Sequence, residues 1–133
     1  MTNTVLVTSA AGGSQGRTGR HVAEMLLQRG VSVRAFVRQI DERSDRLKSL
    51  GADIFVGDFL DVRSVERAAR DVSSVYFAYP VQDGLAEATA AMAFAARRHG
   101  ISRLVNLVMY QSSIDAPAPR LGMLAPTSRA TFS

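Results

Sequence analysis

The chain alternates between two kinds of apolar pattern, and this alternation restricts its possible folds more than any other feature. Short runs rich in β-branched residues, typical of buried strands, are each followed by apolar residues at helical spacing. The predicted strands are residues 4–8, 31–37, 52–56, 73–79 and 101–109, and the predicted helices are about residues 17–29, 41–50, 61–70 and 83–98. Asp61 and Asp83 precede two of these helices and are predicted N-caps. Strands that alternate with helices favour a parallel sheet, because parallel neighbours need a crossover connection.

The strand runs are largely apolar on both faces, as expected for a sheet that is covered by helices on each side. We therefore predict a Rossmann-like, doubly wound α/β fold with about five parallel strands in the order 3-2-1-4-5 and helices on both faces. Residues 1–113 are predicted to form this domain, and the proline-containing tail 114–133 is predicted to be irregular. An uncovered fifth strand would leave an open edge, so self-association into a homo-oligomer or marginal stability is expected.

Composition excludes several classes of function. The chain has 133 residues, of which 47% are hydrophobic and 21% charged, as in a single globular domain. It has no cysteine, which excludes disulfides, iron–sulfur clusters and thiol catalysis, and its two histidines predict no metal site. No apolar run is long enough to span a membrane, and the N-terminus lacks the basic region of a signal peptide. A cytoplasmic protein without a membrane partner is expected.

The charge pattern points to small anionic ligands more than to nucleic acid. The net charge of +4 comes from fifteen arginines and a single lysine, set against twelve acidic residues. The arginines are spread along the chain and interleaved with the acids, whereas a nucleic-acid-binding protein usually concentrates basic residues on one face. A nucleic-acid partner is therefore not predicted.

A glycine-rich loop follows the first strand and carries the clearest chemical signal. Gly13, Gly16 and Gly19 are spaced three apart, between a predicted strand and a predicted helix. A loop that binds a dinucleotide needs a tight turn, backbone that approaches the pyrophosphate closely, and tight helix–strand packing. It also needs free N–H groups at a helix N-terminus. The context therefore favours a phosphate-binding loop over a loop whose glycines only permit turning.

The end of the second strand predicts which dinucleotide is preferred. An acidic residue there would bind the ribose 2′-hydroxyl of NAD, whereas an arginine would accommodate the 2′-phosphate of NADP. Arg38 closes this strand, and no acid follows before Asp41. NADP(H) is therefore predicted in preference to NAD(H). The alternative is that Arg38 is an ordinary exposed arginine, and Arg34 on the same strand could equally be a solvated residue.

These features resemble the NmrA-like family of atypical short-chain dehydrogenases, which bind NAD(P). Besides the glycine loop and Arg38, the similar segments are residues 5–12, 33–38, 57–59, 75–80 and 110–113. The resemblance covers about residues 3–113, which is most of the chain.

The resemblance implies a dinucleotide site whose residues come from four successive loops. The glycine loop would hold the pyrophosphate, Arg38 would meet the 2′-phosphate, and loops after the third and fourth strands would flank the adenine and the nicotinamide. The implied cofactor-binding residues are Gly12, Gly13, Ser14, Gln15, Gly16, Arg17, Thr18, Gly19, Arg38, Asp58, Phe59, Tyr79 and Pro80. Two departures stand out: Ser9 lies where the family usually has its first glycine, and family members continue well beyond this length, so the chain looks like the cofactor half of a longer protein.

No catalytic residue is predicted. Classical short-chain dehydrogenases pair a tyrosine acid with a lysine four residues later, but the only lysine here, Lys48, follows no tyrosine at that spacing. Hydride transfer to a quinone or a similar acceptor does not require such an acid, because the cofactor carries the chemistry. The sequence therefore predicts an NADPH-dependent oxidoreductase, or alternatively a non-catalytic NADP(H) sensor or regulatory module. Residues 12–16 also match the G-x-S-x-G hydrolase elbow, but only one strand precedes Ser14, which disfavours that interpretation.

Overall fold

The alternation of strands and helices is confirmed by the computed structural model, which describes residues 3–10, 16–79 and 83–107. The strands are β1 (Thr4–Thr8), β2 (Ser32–Val37), β3 (Asp53–Val56), β4 (Ser74–Ala78) and β5 (Arg103–Leu107). The helices are α1 (Gly16–Gln28), α2 (Glu42–Ser49), α3 (Val62–Ala68) and α4 (Leu85–Arg98). The predicted irregular tail, residues 114–133, lies outside the described residues, as do residues 108 and 109, the predicted end of the fifth strand.

The five described strands form one parallel sheet in the order β3-β2-β1-β4-β5, as predicted. β1 lies at the centre, where Val5 pairs with Val33 of β2 on one side and with Ser74 of β4 on the other. β5 continues the sheet outward, with Ser74 opposite Arg103. The fold is therefore the predicted Rossmann-like α/β arrangement.

Helices cover both faces of the sheet and bury a separate apolar core on each. Successive side chains of a strand point to opposite faces, so Leu6 and Val7 of β1 enter different cores. One core lies under α3 and α4 and holds three aromatic rings with the small residues of both helices. Its largest members are Phe36, Phe59, Phe77 and Met92. The other core lies under α1 and α2 and is lined by small and branched residues, among them Ala23, Val33, Ala35 and Leu47.

Two of the helix starts depend on aspartate caps, whereas a third does not. The Asp41 side chain accepts from the backbone N–H groups of Arg43 and Ser44, which fixes the start of α2. Asp61 caps α3 as predicted, because its side chain accepts from the backbone N–H of Arg63. The prediction for Asp83 is wrong. The residue before α4 is Gly84, with φ 94°, and no side chain caps the helix. Left-handed backbone favours glycine, and the N-cap position is therefore at Gly84, one residue after the predicted Asp83.

Arg34 is a structural residue instead of a solvated one. Its guanidinium donates to the carbonyl oxygens of Ala68 and Arg70, both at 2.7 Å, and to the Asp53 carboxylate at 3.1 Å. The first two carbonyls lie at the C-terminal end of α3, where backbone acceptors lack helical partners. One side chain therefore ties β2 to the edge strand β3 and to the end of α3. No helix in the described part of the chain is long and apolar enough to cross a bilayer.

Candidate functional site

The strand order creates a natural binding crevice between β1 and β4. From β1 the chain proceeds outward through β2 to β3, and then returns to β4 on the other side of β1. At such a reversal the loops that follow the two central strands run in opposite directions, which opens a crevice at the carboxyl edge of the sheet. The predicted site residues that the structure describes follow strands at this edge.

Hydroxyl groups at the end of β1 bridge the two central strands at the mouth of the crevice. The β1–β4 ladder ends where Val7 pairs with Tyr76. Beyond it, the buried Thr8 hydroxyl accepts from the Ala78 N–H at 2.9 Å and donates to the Ala78 carbonyl at 3.2 Å. The Ser9 hydroxyl donates to the same carbonyl. Side chains thus replace the backbone pairing at the point where the strands diverge.

Gly19 lets α1 lie directly on the end of β1. A Cβ atom at this position would lie 2.8 Å from the Ser9 carbonyl oxygen and 3.0 Å from that of Thr8. Contacts of this length with backbone cannot relax by side-chain rotation, so only glycine fits. This is the close helix–strand packing that the last glycine of a dinucleotide-binding loop provides.

The N-terminus of α1 points to the same crevice and carries no competing carboxylate. The helix begins at Gly16, and its first turn contains no acidic residue. By contrast, α2 begins with its Asp41 cap and has Glu42 and Asp45 in its first turn. The partial positive charge of a helix N-terminus is therefore not neutralised by its own side chains at α1. Gly12, Gly13, Ser14 and Gln15, together with the side chain of Arg17, lie outside the described residues; Thr18 is exposed.

Arg38, directly after β2, is exposed, whereas the carboxylate of nearby Asp41 is hydrogen-bonded to the start of α2. Among the described residues, no ion pair or hydrogen bond is formed by the Arg38 side chain. Asp41 receives the N–H groups of Arg43 and Ser44 on one oxygen and the Arg43 guanidinium at 3.0 Å on the other. The backbone hydrogen bond from Ser44, followed by the Arg43 side chain, lowers the pKa of this carboxyl. Asp41 is thus an ionised helix cap with both oxygens in use.

The loop after β3 places Asp58 and Phe59 in different environments. Asp58 is exposed; it accepts from the Leu60 N–H at 2.9 Å, and its own N–H donates to the buried Ser64 hydroxyl at 3.0 Å. Phe59 is only 8% exposed, and its ring lies against those of Phe36, Phe77 and Tyr79. The ring is therefore a core element that supports the loop, while Leu60, 61% exposed, presents its side chain to the surface.

Tyr79 closes the site at the end of β4. Its ring is half-buried and stands edge-on to Phe59, with centroids 5.6 Å apart. A Cβ atom on Gly84 would lie 3.0 Å from the Tyr79 hydroxyl and 3.1 Å from a Leu60 methyl, so these side chains cover the turn before α4. Pro80, the adjoining predicted residue, lies outside the described residues.

The predicted residues that the structure describes thus gather at one edge of the sheet, and sequence reasoning missed others beside them. Thr8 and Ser9 bridge the crevice, and Ile40 and Leu60 are large apolar residues that are 67% and 61% exposed. The strand pattern alone does not distinguish Thr8 from its neighbours. Ile40 and Leu60 lie three and four residues after the ends of β2 and β3, and large apolar residues in these short loops are a signal that could have identified them.

The remaining titratable candidates lie away from this edge. His99 ends α4 and contacts Glu66 of α3 at 3.2 Å, and because α4 runs back across the sheet, this pair lies near the amino end of β5. The Tyr76 hydroxyl is buried, and no hydrogen-bond partner for it is found in the part of the chain described; burial raises its pKa. Within the same residues, no three histidine, aspartate or glutamate side chains form a metal site.

Comparison with solved structures shows the same fold in several reductases and an epimerase. The chain is similar to Citrobacter sp. triphenylmethane reductase, with 23% identity, a TM-score of 0.69, and coverage of 97% of this chain and 44% of that one. It is also similar to a nucleoside-diphosphate-sugar epimerase from Staphylococcus aureus, with 17% identity, a TM-score of 0.73, and coverage of 96% and 45%. A third is an anaerobillin reductase from Escherichia coli O157:H7, with 21% identity, a TM-score of 0.68, and coverage of 98% and 62%.

The chain spans less than half the length of the first two of these structures. The triphenylmethane reductase was also crystallised in complex with NADP(H). No curated protein matches this chain significantly by sequence.

Family membership rests on a match that covers most of the chain. The family described as NAD(P)H-binding matches residues 13–129. This match confirms the resemblance to NAD(P)-binding proteins that the sequence motifs indicated, and the solved structures share the fold. The crevice at the carboxyl edge, the glycine packed on β1 and the sheet order agree with it, and the chain belongs to the NAD(P)H-binding family.

Proposed function

We propose that this chain is the cofactor-binding part of an NADPH-dependent oxidoreductase, and that it holds NADP(H) at the carboxyl edge of its sheet. The proposal rests on two observations at the end of β2. The Arg38 side chain is exposed and forms no ion pair or hydrogen bond with the described residues, whereas both carboxylate oxygens of Asp41 already accept hydrogen bonds. An NAD-type site needs an acid free to accept the ribose hydroxyl, whereas a 2′-phosphate needs a free cation. The loop presents the second arrangement.

The described residues fit a dinucleotide in other respects. The N-terminus of α1, free of acidic side chains in its first turn, would receive the pyrophosphate, with Gly19 allowing the close packing beneath it. We assign the pyrophosphate contacts to the loop residues Gly12 to Gly16 and to Arg17 and Thr18. When bound, the reduced cofactor supplies a hydride, and the chain supplies its binding and orientation.

Ile40 and Leu60 are proposed as the apolar walls of the adenine pocket. Both are highly exposed, and they follow β2 and β3, whose ends are adjacent because Val37 pairs with Val56. Asp58 lies beside Leu60, with its carboxylate already turned toward the Leu60 N–H. Phe59 would support this pocket by packing the loop after β3 against the core.

The acceptor is proposed to be a quinone or a similar small molecule near Tyr79 and Pro80. The domain is proposed to run over residues 1–113, and homo-oligomerisation and a cytoplasmic location also remain predictions.

A non-catalytic NADP(H) sensor is the second candidate. It is favoured by the absence of a lysine four residues after any tyrosine, the pair that classical short-chain dehydrogenases use. Equal affinities for NADP⁺ and NADPH would remove the basis for a sensor.

Calorimetric titration tests the cofactor proposal directly. The chain is titrated with NADPH and with NADH, alongside Arg38→Ala and the control Arg29→Ala, an exposed arginine at the end of α1. We expect NADPH to bind more tightly than NADH, and Arg38→Ala to abolish the difference while Arg29→Ala preserves it. A folded wild-type chain that binds neither cofactor, or prefers NADH, would overturn the proposal.

A further inference from the structure

Ser9 adopts a backbone conformation that its side chain disfavours. Its φ is 61°, in the left-handed region, and only one other described non-glycine residue, Asp71, has a positive φ. Left-handed backbone is sterically unfavourable for residues with a Cβ atom and is normally occupied by glycine. Strained residues persist where the surroundings hold them, and they cluster at functional sites.

The Ser9 hydroxyl has a specific partner across the crevice. It donates to the Ala78 carbonyl, which also accepts from Thr8, while Thr8 in turn accepts from the Ala78 N–H. Two hydroxyls, one from the last residue of β1 and one from the residue after it, therefore hold the N–H and the carbonyl of Ala78 at the end of β4. We name these three residues, Thr8, Ser9 and Ala78, the hydroxyl clamp.

The clamp connects the two halves of the proposed cofactor site. On one side, the Ser9 and Thr8 carbonyls support Gly19 at the start of α1, beneath the proposed pyrophosphate position. On the other side, Ala78 directly precedes Tyr79, whose ring closes the site at β4. A change in the separation of β1 and β4 at this point would move Tyr79 relative to α1.

We propose that Ser9 is a positioning residue: its hydroxyl sets the opening between β1 and β4 so that both halves of an NADP(H) molecule are held at once. This inference rests on the proposed function. It predicts that loss of the hydroxyl weakens binding of the whole dinucleotide and spares the adenosine half, because the proposed adenosine contacts Arg38, Ile40 and Leu60 follow β2 and β3, whereas the clamp joins β1 to β4.

The test compares two ligands on three variants. Ser9→Ala removes the hydroxyl and keeps the disfavoured backbone, whereas Ser9→Gly removes the hydroxyl and relieves it. Ser73→Ala is the matched control, because the Ser73 hydroxyl donates to the Thr4 carbonyl at 3.1 Å and so bridges the same two strands at the opposite edge. Dissociation constants are measured for NADPH and for adenosine 2′,5′-bisphosphate, with circular dichroism to confirm folding.

We expect Ser9→Ala and Ser9→Gly each to weaken NADPH binding by about five- to tenfold, the range for one lost hydrogen bond, and to change bisphosphate binding by less than about twofold. The two variants should differ from each other in Tm, since only one relieves the backbone, and Ser73→Ala should leave the ratio of the two affinities unchanged.

Folded Ser9 variants with the wild-type ratio of affinities would overturn the positioning role while leaving the proposed function intact. A parallel loss of both ligands would also overturn it, because it would indicate a general structural effect. If Ser9→Ala does not fold, Ser9→Gly decides, since glycine is the residue preferred in this conformation. A wild-type chain that binds neither ligand would overturn the proposed function, and the positioning role with it.

Discussion

Gly19 of α1 and Ser9 at the end of β1 are in backbone contact, with the space for a Cβ on Gly19 ending 2.8 Å from the Ser9 carbonyl oxygen. The contact fixes the start of the helix directly over the strand that enters the crevice. It also gives a physical role to one glycine of the loop, which spacing in the sequence could only suggest.

Gly19→Ala should destabilise the protein, although alanine is the better helix former. Helix propensity alone would stabilise the variant by up to about 1 kcal/mol, but the added methyl group must displace backbone, which costs about 1–3 kcal/mol. We expect a lower free energy of unfolding in urea and weaker NADPH binding. Gln28→Ala, an exposed change at the opposite end of the same helix, is the control. A Gly19→Ala variant more stable than the wild type would show that α1 does not press on β1.

Arg34→Lys should lower stability even though it keeps the charge. Lysine cannot reproduce the planar fork that donates to Ala68, Arg70 and Asp53. With charged hydrogen bonds contributing about 1.5–3 kcal/mol each in partly buried settings, we expect a net loss of about 1–2 kcal/mol. Denaturant unfolding measures it, and Arg29→Lys, an exposed arginine, should change stability by less than about 0.5 kcal/mol. Equal effects of both substitutions would contradict a structural role.

Tyr76→Phe should raise stability. The Tyr76 hydroxyl is buried without a hydrogen-bond partner among the described residues, and an unsatisfied buried polar group costs about 1–3 kcal/mol. Removing the oxygen while keeping the ring should therefore increase the free energy of unfolding by about 1 kcal/mol. Tyr79→Phe, whose ring lies at the site, should leave stability nearly unchanged. A destabilised Tyr76→Phe variant would mean that this hydroxyl makes a hydrogen bond in solution.

The Glu66–His99 contact predicts how stability responds to acid. Burial alone would raise the pKa of Glu66, but the hydrogen bond from His99 and the charges of Arg70 and Arg98 outweigh it, so this pKa is lowered. A carboxyl with a lowered pKa contributes stability above its unfolded value of about 4.3 and loses it as the pH falls through the folded value. Tm should therefore fall below about pH 4.3, and less steeply in Glu66→Gln.

Glu87→Gln is the control for this titration. Glu87 is exposed in the first turn of α4, and no side-chain partner for it occurs in the described ranges. Its replacement should leave the acid dependence of Tm as in the wild type. If both variants show the wild-type slope, the contacts of Glu66 with His99 and with Arg98, 3.3 Å away, do not contribute to stability.

The sequence predicted the fold well because hydrophobic periodicity and parallel crossovers are local and regular. The strand order and nearly every element followed from them. Asp83 failed as a cap because Gly84, with φ 94°, is itself the residue before α4. This left-handed turn is packed against Tyr79 and Leu60, and the contact with Leu60, from the loop after β3, has no signature in a local pattern.

The candidate site could be predicted only in part, for a similar reason. Arg38 and Asp41 are visible in the sequence. However, the hydrogen bonds from Arg43 and Ser44 to the Asp41 carboxylate form only because the helix begins at this point. The resemblance placed Phe59 beside the adenine, whereas its ring lies in the core. Whether an aromatic residue after a strand packs in the core or contacts a ligand depends on side-chain positions, which a local sequence pattern does not give.

The most direct test of a dinucleotide at the carboxyl edge is an amide chemical-shift titration of the ¹⁵N-labelled chain with NADPH. We expect shifts at the ends of the strands, at Thr8, Arg38 and Tyr79, and none at Ser73 and Gly100 on the opposite edge. Shifts centred on Ser73 and Gly100, or none at saturating NADPH, would contradict it.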